Sequence, residues 1–417
     1  MNVKQISNCI FLTAIALAPV YLWKSGLPQI SHILAVFAIG LGMFSHHYVY
    51  WNRSWIWGVV FVFYSILVGL VVFGLYSDRG SLLGPIYYLY DFVIFIYLIN
   101  VYKNSGRSSV VAIFWIHIIQ LIFIMFFIMR VGLESKRATA LFNNPNQMGN
   151  AVLWATIIIA AIGKAIYNKW LPGFTALGMA LFIILYSASR AALLGIGCLV
   201  VVFLIIIINS IYKFLKNVLH LKLYSIIRFM LIISIFMALF LLPYFSRLPQ
   251  ERTITSQIKN QIIFITARFV YERDPDDTPE GRGYDRIWKF PQYLLFGSGE
   301  GATYRFAEKT RFLGEIHSSW AMLLFNYGIV GLLFFLGFLF SVVRIMPINW
   351  FKLMLFPPVI YGFAHHSIRN WSFWIGLAIL YISSDYIRLK QGKNIGNISH
   401  KYKYCCGYML EIKLKFQ

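Results

Sequence analysis

The sequence predicts an all-α polytopic membrane protein, and two observations support this class. Hydrophobic residues make up 59% of the 417 positions and charged residues only 12%, with a mean hydropathy of +0.69. A water-soluble domain of this composition would lack the polar residues needed to cover its surface. Apolar runs of roughly 20 residues, the length that crosses a hydrocarbon core, also recur along the chain.

These apolar runs predict about twelve transmembrane helices. The runs lie near 7–24, 31–51, 54–76, 82–102, 109–130, 147–166, 172–188, 190–212, 225–243, 317–341, 350–364 and 371–388. The first run follows Lys4 and could imitate a signal peptide, but further spans follow at once, so we expect an uncleaved anchor. The predicted regions are nine helices in 1–243, a large outer loop at 244–316, three helices in 317–388, and a basic cytoplasmic tail at 389–417.

The distribution of basic residues predicts the orientation. The net charge is +22, and after Arg388 the tail holds six lysines against the single acid Glu411. Lys and Arg concentrate in cytoplasmic connections of membrane proteins, which predicts a chain with both termini inside and an even number of helices. We therefore expect anionic membrane lipids as partners of the tail and no nucleic acid. The four cysteines lack metal-ligand spacing, so we expect no metal and no disulfide.

The segment 244–316 differs from the other connections. It contains ten of the fifteen acidic residues, mixed with eleven Lys or Arg. A connection of this length is usually functional or disordered, and its Phe, Tyr, Trp and Ile content favours order. Apolar residues recur at helical spacing between 254 and 269 and again at Tyr284, Ile287 and Trp288. We predict amphipathic helices that lie along the outer interface and cover the bundle.

His317 is the candidate catalytic base. It ends the polar segment and begins an apolar run, so its ring would lie at the membrane interface, where a lipid-borne substrate would react. Histidine titrates near neutral pH and can accept a proton from a hydroxyl. The structural alternative is a residue at a helix N-terminus that only binds the loop backbone. His365 and His366, near Arg369 at another outer helix end, would make a secondary polar contribution.

Arginines at two places suit an anionic group. Arg190 lies between two apolar runs among small residues. An arginine there usually pairs or binds an anion, and its planar fork matches phosphate oxygens. The alternative is a turn arginine that extends to water. Arg282, Arg286 and Lys289, at spacings of four and three, would share one basic helix face. The alternative there is a solvated face on which Asp285 pairs with Lys289.

Two polar segments are open to two interpretations each. In FGSGEG (residues 296–301), the backbone amides could bind an anion, but there is no Walker lysine and no preceding strand, so we expect a tight turn. In FNNPNQ (residues 142–147), the asparagine before Pro145 suits a helix cap, while the amides of Asn143, Asn144, Asn146 and Gln147 together would also suit hydroxyl-rich sugars.

From about residue 141 to 331, these elements resemble the O-antigen ligase/polymerase superfamily of bacterial envelope glycosyltransferases. The resemblance rests on FNNPNQ, the SRAALLG turn, the R-x-W element, FGSGEG, and a histidine followed by a helix with NYGIVG, in that order. It implies a GT-C-like protein of the bacterial inner membrane whose active site faces the periplasm. It also implies a metal-independent, cofactor-free transfer of a glycan from an undecaprenyl-diphosphate-linked oligosaccharide to an acceptor hydroxyl.

Transferred onto this sequence, the resemblance implies that Arg190 and Arg286 neutralise the diphosphate and that His317 activates or aligns the acceptor. The remaining predicted substrate-binding residues are Arg282, Lys289, Asn143, Asn146, Gln147 and Arg369. FNNPNQ and IHSSW are more similar to polymerases, whereas ligases often have Asn soon after the histidine. A polymerase would have a chain-length regulator and a flippase of the same pathway as partners. The alternatives are an O-antigen ligase acting on lipid A-core and, in another class, a lipid-linked oligosaccharide flippase.

Overall fold

The computed structural model describes residues 2–23, 27–45, 50–132, 137–219, 260–264, 266, 278–310, 312–346 and 348–395. Every regular element in these ranges is helical, which confirms the predicted all-α class. The predicted run at 225–243, the tail beyond 395 and most of the predicted amphipathic helix at 254–269 lie outside the described residues.

The described residues form thirteen α-helices. They are α1 Val3–Ala16, α2 Ile30–Ser45, α3 Ile56–Tyr76, α4 Gly80–Ser105, α5 Arg107–Phe127, α6 Pro145–Tyr167, α7 Leu171–Ser187, α8 Arg190–Leu219, α9 Asp285–Lys289, α10 Ser319–Ile345, α11 Asn349–Leu353, α12 Phe356–Ala364 and α13 Trp371–Ile395. The predicted run at 350–364 is two short helices, because Pro357 and Pro358 have no amide hydrogens with which to continue α11.

Among the described helices, six segments are long and apolar enough to cross a membrane. They are Arg53–Tyr76, Gly80–Ser105, Arg107–Arg130, Pro145–Tyr167, Arg190–Tyr212 and Ser319–Ile345. Three shorter apolar helices are Val3–Ala16, Ile30–Phe44 and Leu171–Ser187. These lengths support a polytopic membrane protein, while twelve spans and the orientation remain predictions.

Helices α1 to α8 alternate in direction, so the bundle has two polar ends. The site end contains the α3–α4 and α7–α8 turns, residues 278–318 and the α12–α13 connection. The basic end contains the opposite helix termini, where Lys4 Nζ donates to Asn104 O at 3.0 Å and Lys103 pairs with Asp385 at 2.7 Å. The described basic residues of that end are Lys4, Arg53, Lys103, Arg107, Lys164, Lys169, Arg344, Lys352, Arg388 and Lys390.

Helix α10 is broken at Gly328, and the loop before α10 packs into the break. Gly328 has φ +67° and ψ −179°, a backbone conformation that favours glycine. Beyond the break, Ile329 N donates to Leu294 O at 2.7 Å. A Cβ atom on Gly328 would lie 2.2 Å from Leu295 O. Only glycine therefore permits this contact between the loop backbone and the helix.

The glycine segment, residues 296–301 (FGSGEG), is held against α10 by backbone hydrogen bonds. Ser298 N donates to Phe325 O at 2.9 Å, and Gly299 N donates to Asn326 O at 2.8 Å. All three glycines of the segment have positive φ, which confirms the predicted tight turn. Because these two amides already have acceptors, they are not available to bind an anion.

Asp78, in the α3–α4 turn, holds the other end of the glycine segment. Its carboxylate accepts hydrogen bonds from the amides of Ala302 and, at 2.9 Å, Gly80. These two hydrogen bonds hold the pKa of Asp78 below its usual value. Arg305 lies over the ring of Tyr76, 4.9 Å from its centroid, and donates to the carbonyl of Ser298. The segment is thereby fixed to two parts of the bundle.

We predict that Gly328→Ala lowers the free energy of unfolding of the detergent-solubilised protein by about 2–4 kcal/mol, because it combines a strained φ with a steric clash. The matched control is Gly178→Ala, in α7, where a Cβ meets nothing within 4 Å and alanine favours the helix. Thermal unfolding measures both variants. Equal stability of the two variants would contradict the role of Gly328.

Candidate active site

His317 lies at the site end, directly before α10. Its amide donates to the carbonyl of Arg282 at 3.1 Å. Its ring is partly exposed, with the ring of Phe312 at 5.3 Å and that of His365 at 6.0 Å between centroids. Ser318 is the N-cap of α10 and accepts from the amide three residues on at 3.2 Å. The backbone hydrogen bond matches the structural alternative.

Arg286 is almost completely buried, with only 3% of its surface exposed. Its Nη2 atom donates to the carbonyls of Phe312 and Gly314, both at 2.5 Å. Its buried Nε has no hydrogen-bond partner among the described residues. Burial lowers the pKa of the guanidinium. An unpaired donor on a buried cation costs free energy, and an anion would recover that cost.

A cavity of about 290 Å³ lies beside Arg286. Its polar lining includes Tyr87, Arg286, Glu300, Glu315, Asn326 and Arg369. Neither His317 nor Arg190 is among the described residues that line it. Arg286 and Arg369 therefore line the same cavity, whereas His317 and Arg190 lie elsewhere at the site end.

Arg369 is held by two carboxylates. Its Nη1 lies 2.6 Å from Glu300 Oε2, and its Nη2 pairs with Glu315. Glu300 Oε1 also accepts a hydrogen bond from Tyr327 OH at 2.9 Å, and Glu315 Oε2 lies 3.6 Å from His366 Nε2. The positive charge of Arg369 is therefore compensated within the protein, in contrast to that of Arg286. Its geometry matches a structural role better than the predicted contact with substrate.

Burial and these pairs shift the pKa values of the cluster. Burial raises the pKa of Glu300, against the opposing effect of Arg369. Burial alone would raise the pKa of Glu315, but Arg369 and His366 outweigh it and lower that pKa to about 2. The Glu315 side chain is 57% exposed, so water screens its pairs more than those of Glu300. Burial lowers the pKa of His365 to about 4 and that of His366 to about 3.

Arg190 begins α8 at the site end. The preceding residue, Ser189, donates from Oγ to Asn146 Oδ1 at 2.6 Å. Asn146 O accepts from the hydroxyl of Tyr361 at 2.8 Å, and Tyr361 lies one turn before His365. Arg190, the start of α6 and the end of α12 are thus brought to the same end of the bundle.

The amides of FNNPNQ mainly organise the start of α6. Asn143 Nδ2 donates to Trp23 O at 2.9 Å, and Asn144 Oδ1 caps the helix by accepting from Gln147 N at 2.8 Å. These contacts confirm the capping interpretation. Gln147 Oε1 is buried without a partner among the described residues. Gln147 also lines a cavity of about 30 Å³, which has room for a water molecule.

The predicted basic face of Arg282, Arg286 and Lys289 is wrong. Helix α9 has only five residues and begins at Asp285, so Arg282 precedes it. Arg282 Nη1 donates to Ala364 O at 3.3 Å, and Lys289 pairs with Asp285 Oδ2 at 2.9 Å. Lys289 thus follows the alternative in which Asp285 neutralises it. Of the three cations, Arg286 alone lines the cavity.

Sequence reasoning missed Glu300 and Glu315 as site residues. Both were counted only as charges of a long loop, yet Glu300 lies inside FGSGEG and Glu315 two residues before His317. Their positions beside two recognised motifs were the available signal. The common partner, Arg369, lies 69 and 54 residues away along the chain, which no local pattern reveals.

Comparison with known families adds one finding. Residues 174–336 match the family model described as O-antigen ligase. This segment includes Arg190, Arg286, the glycine segment and His317. No curated protein matches the chain.

We predict that Arg369→Gln destabilises the protein by about 3–5 kcal/mol, because it leaves the buried Glu300 carboxylate without its cation. The double variant Glu300→Gln/Arg369→Gln should recover part of this loss, since the unpaired charge is then removed. Thermal unfolding of the solubilised variants measures both. An Arg369→Gln variant as stable as the wild type would show that Arg369 is dispensable for the fold.

We also predict that stability falls as the pH drops from about 6.5 towards 4. The unfolded chain takes up protons on histidine near pH 6.5, whereas folded His365 and His366 take them up near pH 4 and 3. The unfolded state therefore binds more protons in this window and gains stability relative to the fold. Tm measured at pH 7.5 and 5 should differ less in the variant His365→Gln/His366→Gln. An equal pH dependence of the variant would refute the assignment.

Proposed function

We propose that the protein is a membrane glycosyltransferase of the O-antigen ligase/polymerase superfamily, a proposal supported by the family-model match over residues 174–336. In this proposal it polymerises undecaprenyl-diphosphate-linked oligosaccharide repeat units on the periplasmic face of the inner membrane. The observation that most supports it is the buried Arg286, whose unpaired Nε belongs to a side chain lining a cavity at the same end as His317.

Arg286 would bind the diphosphate of the donor. A diphosphate becomes a good leaving group once its charge is compensated, so a positioned cation can supply much of the catalysis. The cavity already contains Glu300 and Glu315, which share the single positive charge of Arg369, and burial raises the pKa of Glu300. A further anion would therefore interact most favourably beside Arg286, where a cation and a free donor remain. Arg190 and Arg282, at the same end, would supply additional positive charge.

His317 would be the general base. The acceptor hydroxyl oxygen attacks the anomeric carbon of the donor glycan, the bond from that carbon to the phosphate oxygen breaks, and undecaprenyl diphosphate leaves with the electron pair. The hydroxyl proton moves to the imidazole of His317. The neighbouring rings of Phe312 and His365 fix the orientation of this imidazole.

The acceptor distinguishes a polymerase from a ligase. IHSSW and FNNPNQ favour a polymerase, in which the growing chain moves from its carrier onto the non-reducing end of a new lipid-linked repeat unit. Ser319 in IHSSW accepts from Ser367 N at 2.8 Å and donates to His365 O at 3.2 Å. It therefore connects the start of α10 to the α12–α13 connection, which contains His365. The second candidate is an O-antigen ligase that uses lipid A-core, favoured by the description of the matching family.

Purified protein reconstituted in liposomes with lipid-linked repeat units alone separates the candidates. A polymerase produces a ladder of lengthened products. A reaction that begins only after lipid A-core is added identifies a ligase. Unchanged glycan that appears on the opposite leaflet identifies a flippase, and either of these outcomes overturns the proposed polymerase.

In that assay we expect His317→Ala to lower the rate of chain extension by about 10²–10⁴-fold, the usual contribution of a general base. Arg286→Gln should also lower the rate strongly, because the leaving diphosphate loses its cation. Lys309→Gln is the matched control, since that exposed lysine of the same loop is not among the residues that line the cavity. Full-length polymer from His317→Ala at a normal protein level would exclude His317 as the base.

A further inference from the structure

A second cavity, of about 710 Å³, opens at the basic end of the bundle, opposite His317. Parts of α6, α8, α11 and α13 form its walls. Its polar lining residues include Lys164, Asn168, Asn209, Asn349, Lys390 and Gln391. A volume of this size belongs to the range that holds drug-sized ligands and far exceeds a single phosphate ion.

The described lining of this cavity is cationic. Lys164 and Lys390 line it, and no carboxylate belongs to the described lining residues. Lys164 Nζ donates to Asn168 Oδ1 at 2.7 Å, which holds the ammonium group at the rim. Asp385, earlier on α13, already pairs with Lys103 at 2.7 Å and Arg388 at 2.5 Å. An anion in the cavity would therefore meet two lysines without a competing lining carboxylate.

The same cavity has an apolar wall. Ile205 and Leu353 line it and remain 37% and 38% exposed. Trp350 also lines it, at the end of the bundle where an amphipathic ring suits the boundary between hydrocarbon and water. A ligand that combines an anionic head, hydrogen-bonding groups and an apolar chain fits these three kinds of surface.

We propose that this cavity binds the headgroup of an anionic phospholipid from the leaflet at the basic end. Lys164 and Lys390 contact the phosphate, the amides of Asn209 and Gln391 bind the glycerol and ester oxygens, and Ile205 and Leu353 contact the first part of an acyl chain. Anionic lipids concentrate in the leaflet where basic residues of membrane proteins lie. The site is independent of the proposed transferase reaction.

Native mass spectrometry of the purified full chain tests this with phosphatidylglycerol, phosphatidylcholine and inorganic phosphate as probes. The test variant is Lys164→Gln/Lys390→Gln. The control is Lys169→Gln/Lys352→Gln, which removes the same charge at the same end from two lysines that do not line the cavity. We expect wild type and control to retain phosphatidylglycerol, and the test variant to bind it about 30-fold more weakly, the effect of losing two lysine contacts.

Three results would overturn the proposal. Equal weakening in the control variant would show a general charge effect of the basic end. Equal retention of phosphatidylcholine would show that the headgroup charge is not recognised. Displacement of phosphatidylglycerol by an equal concentration of inorganic phosphate would assign the cavity to a free anion. Thermal unfolding of both variants confirms that neither has lost the fold.

Discussion

The glycine segment inserted into the broken helix α10 is the contact on which the site depends. Gly328 interrupts α10. The loop donates backbone hydrogen bonds to Phe325 and Asn326 before the break and accepts them from Ile329 and Val330 after it. This contact fixes Glu300 within the segment. Asp78 and Arg305 attach the glycine segment to the α3–α4 turn and to α3. These contacts also restrain the loop that contains Arg286. A Cβ on Gly84 would lie 2.0 Å from the carboxyl carbon of Glu300, so the helix also leaves room for this side chain.

Two arginines line the cavity, the buried Arg286 and the partly exposed Arg369, and they have different partners. Arg369 has two carboxylates as partners and connects the loop before α13 to the glycine segment. Arg286 has only backbone carbonyls as partners for Nη2 and an unpaired Nε. A compensated guanidinium stabilises the fold, whereas an incompletely paired one favours an incoming anion. For this reason Arg286 is a better candidate than Arg369 for contact with a diphosphate.

The sequence predicts the all-α class, and six of the predicted runs correspond to described helices that are long and apolar enough to cross a membrane. It also predicts that His317 and Arg190 lie at the same end, since the alternation of helix direction fixes their side. It does not predict the environment of a loop cation. Lys289 and Arg286 lie on the same short helix. Lys289 pairs with Asp285, four residues away, whereas Arg286 is buried and donates to the carbonyl of Phe312, which is distant along the chain. The sequence predicts one apolar run at 350–364, whereas the structure forms two short helices there, the second of which begins directly before Pro357 and Pro358.

Binding of glycan-free undecaprenyl diphosphate to the purified protein would examine the Arg286 site without any dependence on the acceptor. Wild type, Arg286→Gln and Lys309→Gln are titrated under the same conditions, with thermal unfolding as a check on the fold. If Arg286 binds the diphosphate, Arg286→Gln weakens binding by about 10- to 100-fold, the value of one charge-assisted hydrogen bond, and Lys309→Gln leaves it unchanged, because that lysine does not line the cavity. Equal affinity of the Arg286→Gln variant and the wild type would contradict this site.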